Sequence, residues 1–341
     1  MDVRTFEGGA VGADEPERSF SSAHTTTCAP TAKKMTPVID LSSPSHPPAG
    51  LVDGAVAAAA AAARTAEVSV RQLEALPDLV AVQRLYESIW QPDGKTPPVT
   101  TELLRALSKA GSYVGGAFDG DELVGACVGF FSPPAHEALH SHIAGVAARM
   151  RGRSVGYALK VHQRAWSLQR GVASISWTFD PLVRRNAYFN LGKLAAAPLE
   201  YLANFYGPMN DGINGSDDTD RLLVGWLLDA PEVTAACSGG PTPALRAADL
   251  PGAVVGLGVS PQGRPVRGST DGPIVLVAVP EDIEALRAQD PGCAAEWRRA
   301  LRETLVGLLA DGARIAGFDR SGWYVVDTSP GSGAHERKAA K

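Results

Sequence analysis

The stretch Arg151-Gly152-Arg153-Ser154-Val155-Gly156-Tyr157-Ala158 places two glycines and two cations at the head of a helical segment. A helix N-terminus carries unpaired backbone N–H groups and partial positive charge, so a diphosphate docks there if the backbone can come close. Gly152 and Gly156 remove obstructing side chains, and Arg151 and Arg153 add charge. Taken alone, the same residues also suit an ordinary surface turn. His140 and His142, two apart on a strand, share one side and exchange protons near neutrality. A pair packed or hydrogen-bonded at a strand end is the alternative. Asp180 lies where a parallel strand should end, the usual place for a site in an open α/β sheet, and is a second candidate base. An Asp-Pro turn explains it equally well. Arg298 and Arg302, four apart on one helix face, can clamp a carboxylate, or simply pair with Glu296 or Glu303 in solvent.

These residues need a scaffold. Val68 to Leu73 alternates like a strand, and an apolar stripe from Leu76 to Trp90 follows as a helix. A second helix starts at Thr100 or Thr101 after Pro97-Pro98 and ends before Gly111. Tyr113–Phe118 and Leu123–Phe131 flank Asp119-Gly120-Asp121 as a hairpin. A short strand at His142–Ala147, the glycine-containing loop, a helix from about Ser154 to Gln169 and a strand at Ala173–Phe179 make a phosphate-binding βαβ arrangement. Arg185–Ala197 reads as a helix and Leu222–Leu228 as a buried strand. Ile274–Val279, helices at Glu281–Ala288 and Ala294–Leu309, and strands at Arg314–Phe318 and Trp323–Val326 complete the chain.

Composition bounds the class. The chain has 341 residues and a formal net charge of −5, with Arg and Lys spread out, which argues against nucleic acid as a partner. Cys28, Cys127, Cys237 and Cys293 stand far apart without metal-ligand spacing, pointing to a reduced cytoplasm and no metal. The alanine tract around Val56–Ala63 is too short to span a bilayer and lacks a basic flank, so neither export nor a membrane anchor is expected. The expected organisation is a disordered segment at 1–66, a nucleotide-cofactor core at 67–210, a C-terminal α/β part at 211–328 that completes or extends the sheet, and a flexible tail at 329–341. A homodimer is left open.

In its context between an apolar strand and a helix, Arg153-x-x-Gly156-x-Ala158 resembles the Q/R-x-x-G-x-G/A signature of the GNAT acyltransferases. The G-x-G-x-x-G dinucleotide fingerprint is absent. His140-Ser-His142, Trp177-Thr-Phe-Asp180, Asn186-Ala-Tyr-Phe-Asn190, Tyr206-Gly207 and Thr219-Asp-Arg221 are similar to a little-characterised bacterial group of that superfamily, over roughly residues 67–328.

The resemblance implies an α/β (α+β) fold with a mixed, mostly antiparallel central sheet flanked by helices. It implies acetyl-CoA or another acyl-CoA as co-substrate, with the pyrophosphate at Arg151–Ala158 and the pantetheine arm along a splayed strand that includes Val146 and Ala148. Asn186 matches an Asn that often contacts the cofactor, and a helix cap explains it equally well. The implied reaction is acyl transfer, acetyl by default, to a small-molecule amine such as an amino acid. A protonated amine needs a base, for which His142 is preferred. Leu191-Gly192-Lys193-Leu194 stands where many GNAT enzymes carry an acidic Tyr, so the proton donor is open, with Tyr188 and Tyr206 as candidates. His140, Tyr206, Arg298 and Arg302 are expected at the acceptor side. A succinyl-CoA donor, suggested by the arginine pair, and a non-catalytic CoA sensor are the alternatives.

Overall fold

A computed structural model describes residues 47–90, 97–133, 136–207, 217–239 and 245–329. The expectations for residues 1–46 and 330–341 lie outside the described residues.

The chain enters through a helix, α1 (Ala49–Thr65), where disorder was expected. Alanine has the highest helix propensity of all residues, and Ala55, Ala59 and Ala62 recur on one buried stripe. Their small side chains let α1 pack closely on the helix that follows the glycine loop. Ala62→Leu should therefore overpack this contact and lower stability by about 1–3 kcal/mol in denaturant unfolding. An unchanged midpoint would mean that α1 does not pack there.

Two sheets follow. The first is built from β1 (Ser69–Gln72), α2 (Leu76–Trp90), α3 (Thr101–Lys109), β2 (Tyr113–Asp119), β3 (Glu122–Phe131), β4 (Ala138–Val146), α4 (Val155–Leu168), β5 (Ser174–Phe179), α5 (Arg184–Ala187), β6 (Ala197–Leu202) and β7 (Arg221–Leu227). Its order is β1-β2-β3-β4-β5-β7-β6, antiparallel throughout except for the parallel pair β4 and β5 joined across α4. Buried Leu79, Val82 and Leu104 of α2 and α3 cover β2 and β3 on one face, while α4 and α1 cover the other. The expected mixed, mostly antiparallel sheet is present. β7, the first strand after residue 211, lies in this sheet between β5 and β6.

After α6 (Pro231–Cys237) comes a second sheet made by β8 (Ala253–Val259), β9 (Pro265–Arg267), β10 (Ile274–Ala278), α7 (Ile283–Gln289), α8 (Pro291–Ala310), β11 (Arg314–Asp319) and β12 (Trp323–Asp327), in the order β11-β12-β10-β8-β9. Residues 231–273 carry no clear hydrophobic period in the sequence. Here α6, β8 and β9 are short and carry few large apolar residues at a clear period.

The helix expected at Arg185–Ala197 is shorter and changes character. One turn of α5 passes into a π-helical segment, Tyr188–Lys193, and the rest becomes β6. Gly192 has a specific reason to be glycine, because a Cβ there would stand 2.9 Å from the Tyr188 ring.

Candidate functional site

The site is organised by the way β4 and β5 part. They pair only at Ala138–Ser174, Leu139–Ile175 and His140–Ser176. Beyond that rung, β4 stays bonded to β3 and β5 to β7, so the strands diverge and one edge of β4 is left unpaired. The last rung is fastened by a 3.3 Å contact between His140 Nδ1 and Ser176 Oγ.

His142 sits two residues past the last rung, where the gap begins. Simple alternation does not hold here, because the β3–β4 register shifts between Val128–Ile143 and Gly129–Ser141, making His142 a bulge residue. A bulge re-aims a side chain, and nothing in the residue types announces it. The two imidazoles still meet: their centroids are 6.3 Å apart, and Phe130 lies 5.2 Å from His140 and 5.8 Å from His142. Partial burial lowers the pKa of His142. His140 is pushed down to about 4 by burial, then by His142 and Lys160. Both rings are thus neutral at pH 7, and His140 is the weaker base.

On the same face of β5, Thr178 Oγ1 lies 3.2 Å from Tyr206 Oη, and the Tyr206 ring covers the Arg221 guanidinium at 5.2 Å. Tyr206, expected near the acceptor, therefore borders the strand face that carries Ser176 and the histidine contact. Tyr188 lies apart from this group, its ring over Gly192 and 5.9 Å from the Arg320 guanidinium of the second sheet.

The loop after β4 turns through a 3₁₀ segment, Ala148–Met150, and then through Gly152 at φ +83° and Ser154 at φ +62°. Left-handed geometry is uncommon for a non-glycine residue. It has a consequence at Ser154, the N-cap of α4. An N-cap serine ordinarily has extended geometry and accepts from an amide of the first turn, whereas Ser154 makes no such bond. The amides of Val155, Gly156 and Tyr157 therefore lack both an intrahelical acceptor and a cap. Around them, Arg151 is exposed, Arg153 is paired 2.5 Å from Glu67, and the Tyr157 hydroxyl donates to Ala236 O at 2.6 Å. Arg153 would have to leave Glu67 to reach a phosphate, at small cost for an exposed pair. Val146 pairs with Gly125 of β3, Ala148 is exposed in the turn, Ala158 is buried in α4, and half-buried Asn186 lies in α5.

Three expectations are corrected. Asp180 is not available as a base: Arg298 grips it through two bonds of 2.8 and 2.9 Å, and Arg287 donates at 2.5 Å. Burial opposes its ionisation, but the two guanidinia outweigh that and hold its pKa well below the usual carboxylate range. Arg298 is correspondingly no substrate clamp, since its buried side chain also donates to Asp217 at 2.9 Å. Arg302 is committed to Asp218 and Asp220. Sequence reasoning paired these arginines with neighbours on their own helix. Their partners are over 80 positions away, so local spacing could not show them.

The sequence reading also missed Lys160. It is buried on α4, donates 2.8 Å to Ser141 Oγ and 3.3 Å to Gln163 Oε1, and stands 3.7 Å over the Trp177 ring. Gln163, Arg164 and Ser167 are buried on the same helix, so in the sequence this stretch reads as a polar, solvent-facing side of α4 rather than as a buried one.

A cavity of about 350 Å³ lies elsewhere, lined by Arg184, Val279, Asp282, Leu286, Ser321 and Trp323. Among the described residues, no group of three His, Cys, Asp or Glu side chains could hold a metal, and no helix is long and apolar enough to cross a membrane.

A βαβ unit that parts over an uncapped helix N-terminus defines a fold suited to holding an extended, diphosphate-bearing ligand. No family model and no curated protein matches the chain. Among solved structures it is similar to an N-acetyltransferase from Staphylococcus aureus (14% identity, 48% of this chain and 99% of that one, TM-score 0.40). It is also similar to a ribosomal-protein-alanine N-acetyltransferase from Brucella melitensis (17%, 47% and 99%, TM-score 0.39). A third is an acetyltransferase of the GNAT family from Desulfovibrio desulfuricans (15%, 47% and 99%, TM-score 0.37).

Proposed function

We propose that this protein is an acyl-CoA-dependent N-acyltransferase, acetyl by default, acting on a small-molecule amine such as an amino acid by direct attack on the thioester. The carrying observation is the unpaired edge of β4, which runs from the bulge at His142 toward the uncapped start of α4. An extended pantetheine arm adds to such an edge as a further strand would, with its diphosphate on the free amides of Val155, Gly156 and Tyr157. The thioester then lies where the gap begins, beside the neutral imidazole of His142.

In this reading His142 takes the proton from the amine nitrogen as the bond to the acyl carbon forms. His140 and Tyr206 border the acceptor. The case for a dicarboxylic donor is weakened, because Arg298 and Arg302 already hold Asp180, Asp217, Asp218 and Asp220.

Calorimetric titration with acetyl-CoA, succinyl-CoA and free CoA tests the cofactor. Binding by none of them, by folded protein, removes the proposal. Thiol release across a panel of amino acids, polyamines and a short peptide then separates an enzyme from a sensor. His142→Ala should lower turnover at neutral pH by about 100-fold or more with acetyl-CoA affinity retained. Full activity in that variant would exclude His142 as the base.

A further inference from the structure

Lys160 occupies an unusual place in relation to the gap. Ser141 and Trp177 are the first residues of β4 and β5 past the last shared rung, and both turn toward α4. The ammonium is bonded to one and lies on the ring of the other, so it closes the apex of the gap from the α4 side. The histidines flank Ser141 in β4 at the same apex, His140 on the last rung against Ser176 and His142 at the bulge, their rings 6.3 Å apart. Whatever enters the gap along β4 from the α4 N-terminus ends between an imidazole pair and an ammonium.

Among the described residues, that ammonium has no counter-anion. Its partners are a hydroxyl, an amide oxygen and an indole face. Among the described residues, the titratable groups that interact with it are Cys127 from β3, whose thiol burial keeps protonated, and His140 from β4, while β5 presents Trp177 and α4 presents Gln163. Beside it, the Gln163 amide nitrogen is fully buried without a partner among the described residues. A buried cation held only by neutral groups is costly, and a negative charge forming next to it would be strongly stabilised. Acyl transfer from a thioester forms one such charge, on the departing sulfur.

We propose that Lys160 is the proton donor to the sulfur of the departing coenzyme, filling the role that Leu191-Gly192-Lys193-Leu194 leaves without a tyrosine. This rests on the acyl-CoA reading above. The amine nitrogen forms its bond to the acyl carbon while the carbonyl pair moves to oxygen, and the nitrogen proton passes to His142. As the carbonyl re-forms, the carbon–sulfur bond breaks with its pair on sulfur, and Nζ gives that sulfur a proton. The products are the amide, the free thiol and a neutral lysine. Solvent entering the vacated gap removes the proton from His142 and restores the one on Lys160. Burial lowers Lys160 to about 8, close to an ordinary thiol at about 8.5, so the transfer is nearly balanced in free energy.

The test is Lys160→Met, which keeps the length of the chain and removes the charge. With an acceptor amine already unprotonated at neutral pH, wild-type kcat should fall as pH rises through about 8, because the donor form is lost. The variant should bind acetyl-CoA as the wild type does, turn over about 100-fold more slowly, and lack that alkaline limb. A merely structural lysine would not carry the limb. Variant activity and pH profile matching the wild type would overturn the role of Lys160 and leave the acyltransferase reading standing. A wild type that binds no acyl-CoA would remove both. If Lys160→Met does not fold, the wild-type profile decides, and a kcat that stays level well beyond pH about 8 overturns the proposal.

Discussion

Gly156→Trp is expected to abolish acyl-CoA binding while the protein keeps its fold. The protein itself does not require glycine here: a Cβ at position 156 would find only Val146 Cγ2, at 3.8 Å, an ordinary contact. The residue is half-buried on the first turn of α4, so an indole can project outward without displacing the core. It would stand over the amides of Val155, Gly156 and Tyr157, where no other side chain caps the helix. A diphosphate needs those amides at hydrogen-bond distance, and losing them should weaken binding by more than about 100-fold, some 3 kcal/mol. Calorimetry with acetyl-CoA, beside a melting curve, makes the measurement. Unchanged affinity in the variant would show that the phosphates lie elsewhere.

The second large effect concerns stability. Asp180→Ala leaves the buried guanidinium of Arg298 with Asp217 alone and takes a carboxylate from Arg287. Removing one partner of a buried ion pair costs about 3–5 kcal/mol, much of it the penalty on the charge left behind. The denaturant midpoint should drop accordingly, and a loss below about 1 kcal/mol would mean that the network is solvated. The pH dependence has a definite sign. Asp180 has a folded pKa below its unfolded value, so its contribution is complete above about pH 4 and is lost as pH falls toward the depressed folded value. The variant should therefore show a shallower loss of stability in acid than the wild type.

The parts of the molecule legible in the sequence are those whose signal is local. The β2–β3 hairpin announces itself by turn residues between apolar runs, and the glycine loop by the strand before it and the helix after it. Position 192 could be read as departing from the GNAT pattern, though not why: its glycine answers to the Tyr188 ring one turn earlier. Helix α1 was hidden because alanine contributes little hydrophobic contrast, even while Ala55, Ala59 and Ala62 are buried. The bulge at His142 depends on the register with β3, which no single strand encodes. The misreading of Asp180, Arg298 and Arg302 has one cause: ion pairs between distant segments are a property of the packed chain. Lys160 is the converse, a residue that with Gln163, Arg164 and Ser167 looks like the solvent side of a helix until Ser141 and Trp177 are brought around it.

The Asp180 cluster also settles whether the chain can be shortened. In chain order β7 is the last strand of the seven-stranded sheet, and a cut just beyond Leu228 would preserve every strand of it. It would also delete Arg287, Arg298 and Arg302, the ion-pair partners of Asp180, Asp217, Asp218 and Asp220. The half that carries the first sheet is thus not a detachable module with an appendage. Anyone engineering a minimal version would have to neutralise those aspartates first, because the counter-charges of one half are stored in the other.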